Sequence, residues 1–185
     1  MNILLLGATG SIGDSVLSVI EENHSELNLF GITFHKNINK SQEIIKDFKP
    51  QFAYVEDRST FEDQKDTSDI TFLNGDSSLK ELIEHDDVDV IISAISGFAG
   101  LKATYLASST GKKILLANKE SIVAGGDLIT ARAKKFNSKI IPVDSEHNAI
   151  FQCLSGERSP DDVQKIIITA SGGPFIGKKI SDLKD

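Results

Sequence analysis

Cysteine is nearly absent: the 185-residue chain has one, Cys153. A single thiol excludes an internal disulfide framework and fits a reducing compartment. The expectation for Cys153 is a small buried filler rather than a catalytic thiol. No apolar run reaches the length needed to cross a bilayer. The first strand is expected to begin at residue two, so no signal or transit peptide is expected ahead of it and the chain is read as cytoplasmic. A basic excess is lacking too. The net charge is −7, and no basic face stands out, which argues against nonspecific nucleic-acid binding. Internal repeats and low-complexity tracts are missing. What remains, 39% hydrophobic and 25% charged residues, is ordinary for a soluble globular protein. The length suffices for one full core and the beginning of a second.

The most informative stretch is Gly7-Ala8-Thr9-Gly10-Ser11-Ile12-Gly13, set directly behind the apolar run Ile3–Leu6. A buried strand that ends in a glycine-rich turn and opens into a helix can seat a pyrophosphate, because backbone approaches closely and free N–H groups face the charge. The spacing is not the strict dinucleotide fingerprint, and a chance glycine-rich turn is the plain alternative. Ile12, Val16, Val19 and Ile20 recur at helical spacing behind it. Strands are expected at Asn2–Leu6, Leu27–Phe34, Gln51–Val55, Val88–Ile92, Lys113–Leu116 and Lys139–Pro142, with a weaker one at Ile70–Leu73. Helices are expected at Ser11–Glu22, Lys40–Phe48, Ser59–Lys65, Ser78–Glu84, Gly100–Ser108, Gly126–Phe136 and Glu146–Leu154. Short apolar strands interleaved with helices predict an α/β fold, a doubly wound parallel sheet of the Rossmann-like, dinucleotide-binding kind. Ser155–Asp162 has linker composition. Val163–Thr169 reads as a new strand and Ala170–Phe175 as a loop. Residues 1–154 therefore form a nucleotide-binding domain, and 155–185 a linker with the beginning of a second α/β domain.

An acid at the end of the second strand commonly grips the adenosine ribose of NAD. Here that strand runs into His35-Lys36-Asn37, with no carboxylate. Lys36 and Asn37 suit a 2′-phosphate, so NADP(H) is preferred, unless Lys36 is only a solvated loop charge. Asn118-Lys119-Glu120 follows a strand. A lysine there can stabilise negative charge developing on a substrate oxygen, while Asn118 and Glu120 also suit a helix start. Asp144-Ser145-Glu146-His147 follows the next strand. Its two carboxylates can converge on a hard cation, Mg²⁺ or Mn²⁺, or Asp144 or Ser145 can simply cap a helix. His147 is read as structural. Asn118, Lys119 and Asp144 should open onto one carboxyl edge of the sheet. Ser171-Gly172-Gly173-Pro174 resembles an anion-receptive loop, although such turns are common. Asp86-Asp87, Lys112-Lys113 and Lys134-Lys135 read as solvated charge pairs. His24, His35 and His85 have no evident partner cluster.

Together these strings resemble the 1-deoxy-D-xylulose 5-phosphate reductoisomerase family. The carriers are Gly7–Gly13, His35-Lys36-Asn37, Leu115–Ser121, Pro142–Gln152 and Thr169–Phe175, in family order over nearly the whole chain. Asn118-Lys119-Glu120-Ser121 and Val143-Asp144-Ser145-Glu146-His147-Asn148-Ala149-Ile150-Phe151-Gln152 are the most specific. The resemblance implies an NADPH-dependent, metal-requiring oxidoreductase of non-mevalonate isoprenoid biosynthesis. Such an enzyme rearranges 1-deoxy-D-xylulose 5-phosphate and reduces the product to 2-C-methyl-D-erythritol 4-phosphate. It implies that Thr9, Gly10, Ser11 and Ile12 hold the cofactor pyrophosphate, with Lys36 and Asn37 near the 2′-phosphate and Asn118 and Glu120 also on the cofactor. Asp144 and Glu146 become metal ligands, and Lys119, Ser145, Glu146 and Ser171 substrate ligands, with Lys119 and Glu146 catalytic. A homodimer is implied for the full-length enzyme, with no membrane or nucleic-acid partner. Two departures stand out. His35 occupies a place where much of the family has a small residue, usually glycine, and family members run to about twice this length. A third metal-ligating glutamate, a substrate histidine and most phosphate ligands fall in that later part. The contrasting expectation is an NADPH-binding fragment without turnover. Another NADP-dependent dehydrogenase, of the semialdehyde type, needs a catalytic cysteine motif that Cys153 does not sit in.

Overall fold

The computed structural model describes residues 1–62, 69–154, 160–169, 176–179 and 181. Its centre is a seven-stranded sheet in which every neighbouring pair is parallel. The strands are β1 (Asn2–Leu6), β2 (Asn28–Phe34), β3 (Phe52–Val55), β4 (Thr71–Leu73), β5 (Val90–Ser93), β6 (Lys113–Leu116) and β7 (Lys139–Pro142). The helices are α1 (Ser11–Glu22), α2 (Ile38–Phe48), α3 (Arg58–Glu62), α4 (Asp76–Glu84), α5 (Gly100–Ala107), α6 (Lys119–Phe136) and α7 (Ser145–Leu154). The spatial order is β4-β3-β2-β1-β5-β6-β7. The chain winds outward from β1 in one direction, then returns to its other side at β5. That reversal leaves a crevice beyond the carboxyl ends of β1 and β5.

The apolar runs are continuous because both faces of the sheet are covered. Side chains alternate along β1: Ile3 and Leu5 join a core with Leu17 and Ile20 of α1 and Ile44 of α2. Leu4 and Leu6 join the opposite core, with Leu79, Leu82 and Ile83 of α4 and Ala103 of α5. Helix α1 turns Leu17 and Ile20 inward but leaves Ile12 and Val19 exposed. The buried face is thus rotated from the one the Ile12–Val19 spacing suggests.

Several expectations are corrected. Helix α6 begins at Lys119, not Gly126. Asn118 caps it by accepting a hydrogen bond from the Ser121 N–H at 2.8 Å, and the glycines mark a kink at Gly125 instead. A Cβ on Gly125 would lie 2.9 Å from Leu101 Cδ1, so the kink is where α6 presses on α5. Lys112 is not a solvated charge. Its half-buried ammonium donates to the Ile83 carbonyl at 3.3 Å and to that of His85, satisfying the end of α4, and burial pushes its pKa down. His85, unassigned from sequence, packs its ring against Phe30 and Phe52 with centroids 4.9 and 5.5 Å away. Cys153 is exposed, because α7 buries none of its residues. Val163–Thr169 is not a strand: no described strand lies beside it to complete a ladder, and Ile166, Ile167 and Ile168 face solvent. The expected helix at Ser59–Lys65 is described as far as Glu62, and the loop at Ala170–Phe175, with Ser171, lies outside the described residues. Among the described residues no helix is long and apolar enough to cross a membrane.

Candidate active site

The crevice at the strand reversal is a cleft of about 500 Å³. Gly7 and Gly10 floor it, His35 and Glu56 stand at one end, and Ile95 and Ala99 wall the other side. The three glycines of the first turn have different reasons to be there. Gly7 has φ +88°, and a Cβ on it would sit 2.8 Å from the Ala94 carbonyl oxygen. On Gly13 a Cβ would sit 2.2 Å from the Ala8 oxygen, so the fold itself excludes one where α1 crosses β1. On Gly10 a Cβ would meet nothing nearer than 3.5 Å. Gly10 is also the N-cap residue of α1 and supplies no capping side chain. The first-turn N–H groups of Ser11, Ile12 and Gly13 have no intrahelical partner, and the positive end of the helix dipole faces the cleft. This geometry suits an anion better than it suits the bare protein.

At the end of β2 the structure adds an element that the sequence reading missed. Lys36 is 64% exposed, yet its Nζ lies 3.4 Å from Asp57 at the end of β3. Asp57 in turn accepts hydrogen bonds from the Ser59 hydroxyl at 2.5 Å and the Thr60 N–H at 2.9 Å. These bonds hold its carboxyl well below the usual carboxylate range. Asn37 caps α2, accepting from the Lys40 N–H at 3.3 Å. Tyr54 donates to Glu56 at 2.9 Å, and burial with that acidic neighbour pushes its phenol pKa up. Parallel pairing of β2 with β3 carries Glu56 and Asp57 to the same edge as Lys36. The rule that parallel strands end on one edge is the signal for this acid, and the end of β2 taken alone does not carry it.

On the other side of the reversal, β6 and β7 end in register, Leu116 opposite Pro142, so the turns that follow them adjoin. Lys119 Nζ lies 3.2 Å from Glu146 Oε2, with both side chains about half exposed. The shared edge expected for Asn118, Lys119 and Asp144 is present. Asn118 is 3% exposed, and its amide nitrogen donates to Ile95 O at 2.6 Å, Gly97 O at 2.8 Å and Glu120 at 3.1 Å. Its side chain thereby pins the β5–α5 loop, which walls the cleft, to the start of α6. Asp144 accepts from the His147 N–H at 3.1 Å and pairs with its Nδ1 at 2.8 Å. Burial alone would raise the Asp144 carboxyl, but His147 and the charge of Lys119 bring it below its ordinary value. Glu146 is lowered by its own backbone N–H and by Lys119, and the Ser145 hydroxyl donates to it at 3.3 Å. Asp144 and Glu146 are hard oxygen donors, the first hydrogen-bonded to His147 and the second paired with Lys119. No group of three or more metal-ligating side chains occurs among the described residues.

The sequence profile described as 1-deoxy-D-xylulose 5-phosphate reductoisomerase matches residues 3–126, two-thirds of the chain. The chain belongs to the 1-deoxy-D-xylulose 5-phosphate reductoisomerase family. The profile of that enzyme's C-terminal domain matches residues 140–185. The reductoisomerase of Francisella tularensis subsp. novicida (strain U112) is 47% identical over 99% of this chain and 48% of its own length. That of Clostridium botulinum (strain Loch Maree / Type A3) is 42% identical over 100% of this chain and 49% of its own. The chain therefore spans about half the length of the curated relatives it matches. The solved reductoisomerase from Zymomonas mobilis, in complex with NADPH, superposes with a TM-score of 0.89 at 38% identity, over 98% of this chain and 48% of that one. A DOX-P reductoisomerase in complex with NADPH, fosmidomycin and magnesium superposes at 0.79 with 40% identity, over 83% of this chain and 39% of that one.

Proposed function

We propose that this chain is the cofactor-binding portion of a 1-deoxy-D-xylulose 5-phosphate reductoisomerase, an enzyme that rearranges its phosphosugar and reduces the product with NADPH. The observation that carries the reading is the start of α1 at the strand reversal, where Gly10 lines the cleft and puts no capping side chain over the first-turn N–H groups. Thr9, Gly10, Ser11 and Ile12 hold the pyrophosphate on the first-turn N–H groups. Lys36 and Asn37 meet the 2′-phosphate, and Asn118 and Glu120 fix the wall beside the cofactor. When bound, the nicotinamide supplies the hydride. The solved relatives that hold NADPH and magnesium support this choice of ligands.

Asp144 and Glu146 offer the oxygen chemistry a divalent cation such as Mg²⁺ or Mn²⁺ prefers, and the cation when bound polarises a substrate carbonyl. Lys119, 3.2 Å from Glu146, orients that carboxylate and presents its ammonium to a substrate oxygen. Ser145 and Ser171 complete the substrate contacts. The second domain begins within residues 155–185, and the full-length enzyme is a homodimer in the cytoplasm. The isolated 185-residue chain binds NADPH without turnover, since the resemblance places a third metal-ligating glutamate in the part of the enzyme beyond these residues. In the full-length enzyme, Asp144→Asn or Glu146→Gln is expected to remove most activity, followed as NADPH oxidation with substrate and metal present. Unchanged rates in both variants, or full turnover by the 185-residue chain, would contradict the reading.

A further inference from the structure

Lys102 lines the cleft, Lys36 directly follows the lining residue His35, and Lys40 lies in the first turn of α2; each of these three lysines is already matched to a carboxylate. Lys40 is 2.6 Å from Asp14, Lys102 pairs with Asp76, and Lys36 is 3.4 Å from Asp57. Glu56 adds a further acid, held by Tyr54. Among these described lysines none is spare, so an incoming dianionic phosphate must take one from its acid. The longest of these ion pairs, on the most exposed of the three lysines, is Lys36–Asp57. Asp57 does not swing away when Lys36 leaves. The Ser59 hydroxyl and the Thr60 N–H bind it as the cap of α3, so its charge stays beside whatever Lys36 then holds.

We infer that Asp57 sets the degree of cofactor selectivity by competing with the 2′-phosphate of NADPH for Lys36, an inference that rests on the NADPH reading above. The end of β2 carries no acidic ribose selector, but the turn after β3 delivers a carboxylate to the same place. That carboxylate opposes the 2′-phosphate twice, by occupying its lysine and by repelling it. NADH, which has a hydroxyl there, feels neither effect.

The test uses the 185-residue chain, with NADPH and NADH titrated separately by nicotinamide fluorescence into wild type and Asp57→Asn. Asparagine keeps the oxygen that accepts from Ser59 and Thr60 and is itself a favoured cap, so α3 is retained, which a thermal melt verifies. At low salt the substitution is expected to tighten NADPH about three- to five-fold, the span of one exposed ion pair. NADH should stay within about two-fold, and the NADPH gain should fade as salt screens the pair. In a Lys36→Gln background the gain should largely vanish, a dependence that a merely structural cap would not produce. Unchanged NADPH affinity, or equal tightening of both cofactors, would overturn the inference. Weaker NADH binding in Asp57→Asn would overturn it too, by making Asp57 a ribose ligand. If wild type binds no NADPH, the functional reading itself fails and this inference falls with it. Normal NADPH binding with an inert Asp57 fails the inference alone.

Discussion

A Cβ at Gly13 would lie 2.2 Å from a backbone oxygen, whereas one at Gly10 would meet nothing nearer than 3.5 Å. Two glycines three positions apart therefore differ in what the fold allows: it excludes a side chain at Gly13 and tolerates a methyl group at Gly10. Gly13→Ala is expected to destabilise the chain by about 2–3 kcal/mol or more through overpacking, seen as a lower Tm. Gly10→Ala should change stability by under about 1 kcal/mol yet weaken NADPH several-fold by filling the space the pyrophosphate needs. Equal loss of stability in both would show that Gly10 is only a fold glycine. At the far end of the cleft, Lys36→Ala should lower the preference for NADPH over NADH, since the 2′-phosphate loses its cation. An unchanged ratio of the two dissociation constants would remove Lys36 from the site.

Among elements, the β5–α5 loop and the start of α6 act as one unit because Asn118 joins them. Its carbonyl oxygen caps α6 and its amide nitrogen reaches Ile95 O and Gly97 O. Asn118→Ala removes a cap and leaves partly buried carbonyls unpaired, a cost of about 2–3 kcal/mol that urea unfolding would measure. It should also loosen the cleft wall and weaken NADPH, while Asn118→Asp retains the cap but offers no donor to the loop. Element positions were readable from sequence wherever an apolar run was bounded by turn residues, as at β1, β2 and β6. The start of α6 was misplaced by seven residues, because Gly125 and Gly126 look like a boundary while the real signal, Asn118 as cap, was in view. Val163–Thr169 has the composition of a strand, but a strand is a pairing, and composition does not supply the neighbour. Asp57 escaped notice for a related reason: its meeting with Lys36 is made by the β2–β3 register, which one strand's sequence does not contain.

At the scale of the whole molecule, two opposed cores clamp a parallel sheet whose carboxyl edge gathers every described residue proposed for the site. The glycine turn, the β2–α2 turn, the start of α6 and the start of α7 converge there although they span the sequence from Gly7 to Glu146. Because α7 ends at Leu154 and, among the described residues, both cores draw only on residues before it, a chain cut after Leu154 is expected to unfold cooperatively and to bind NADPH as the 185-residue chain does. A much weaker affinity in the shorter chain would move the domain boundary. The cleft at the β1–β5 reversal is proposed as an NADPH site. The most direct measurement is a calorimetric titration of NADPH, and separately NADH, into the purified 185-residue chain. Saturable one-to-one NADPH binding, tighter than that of NADH, is the predicted result; no saturable binding, or equal affinity for the two nucleotides, would contradict it.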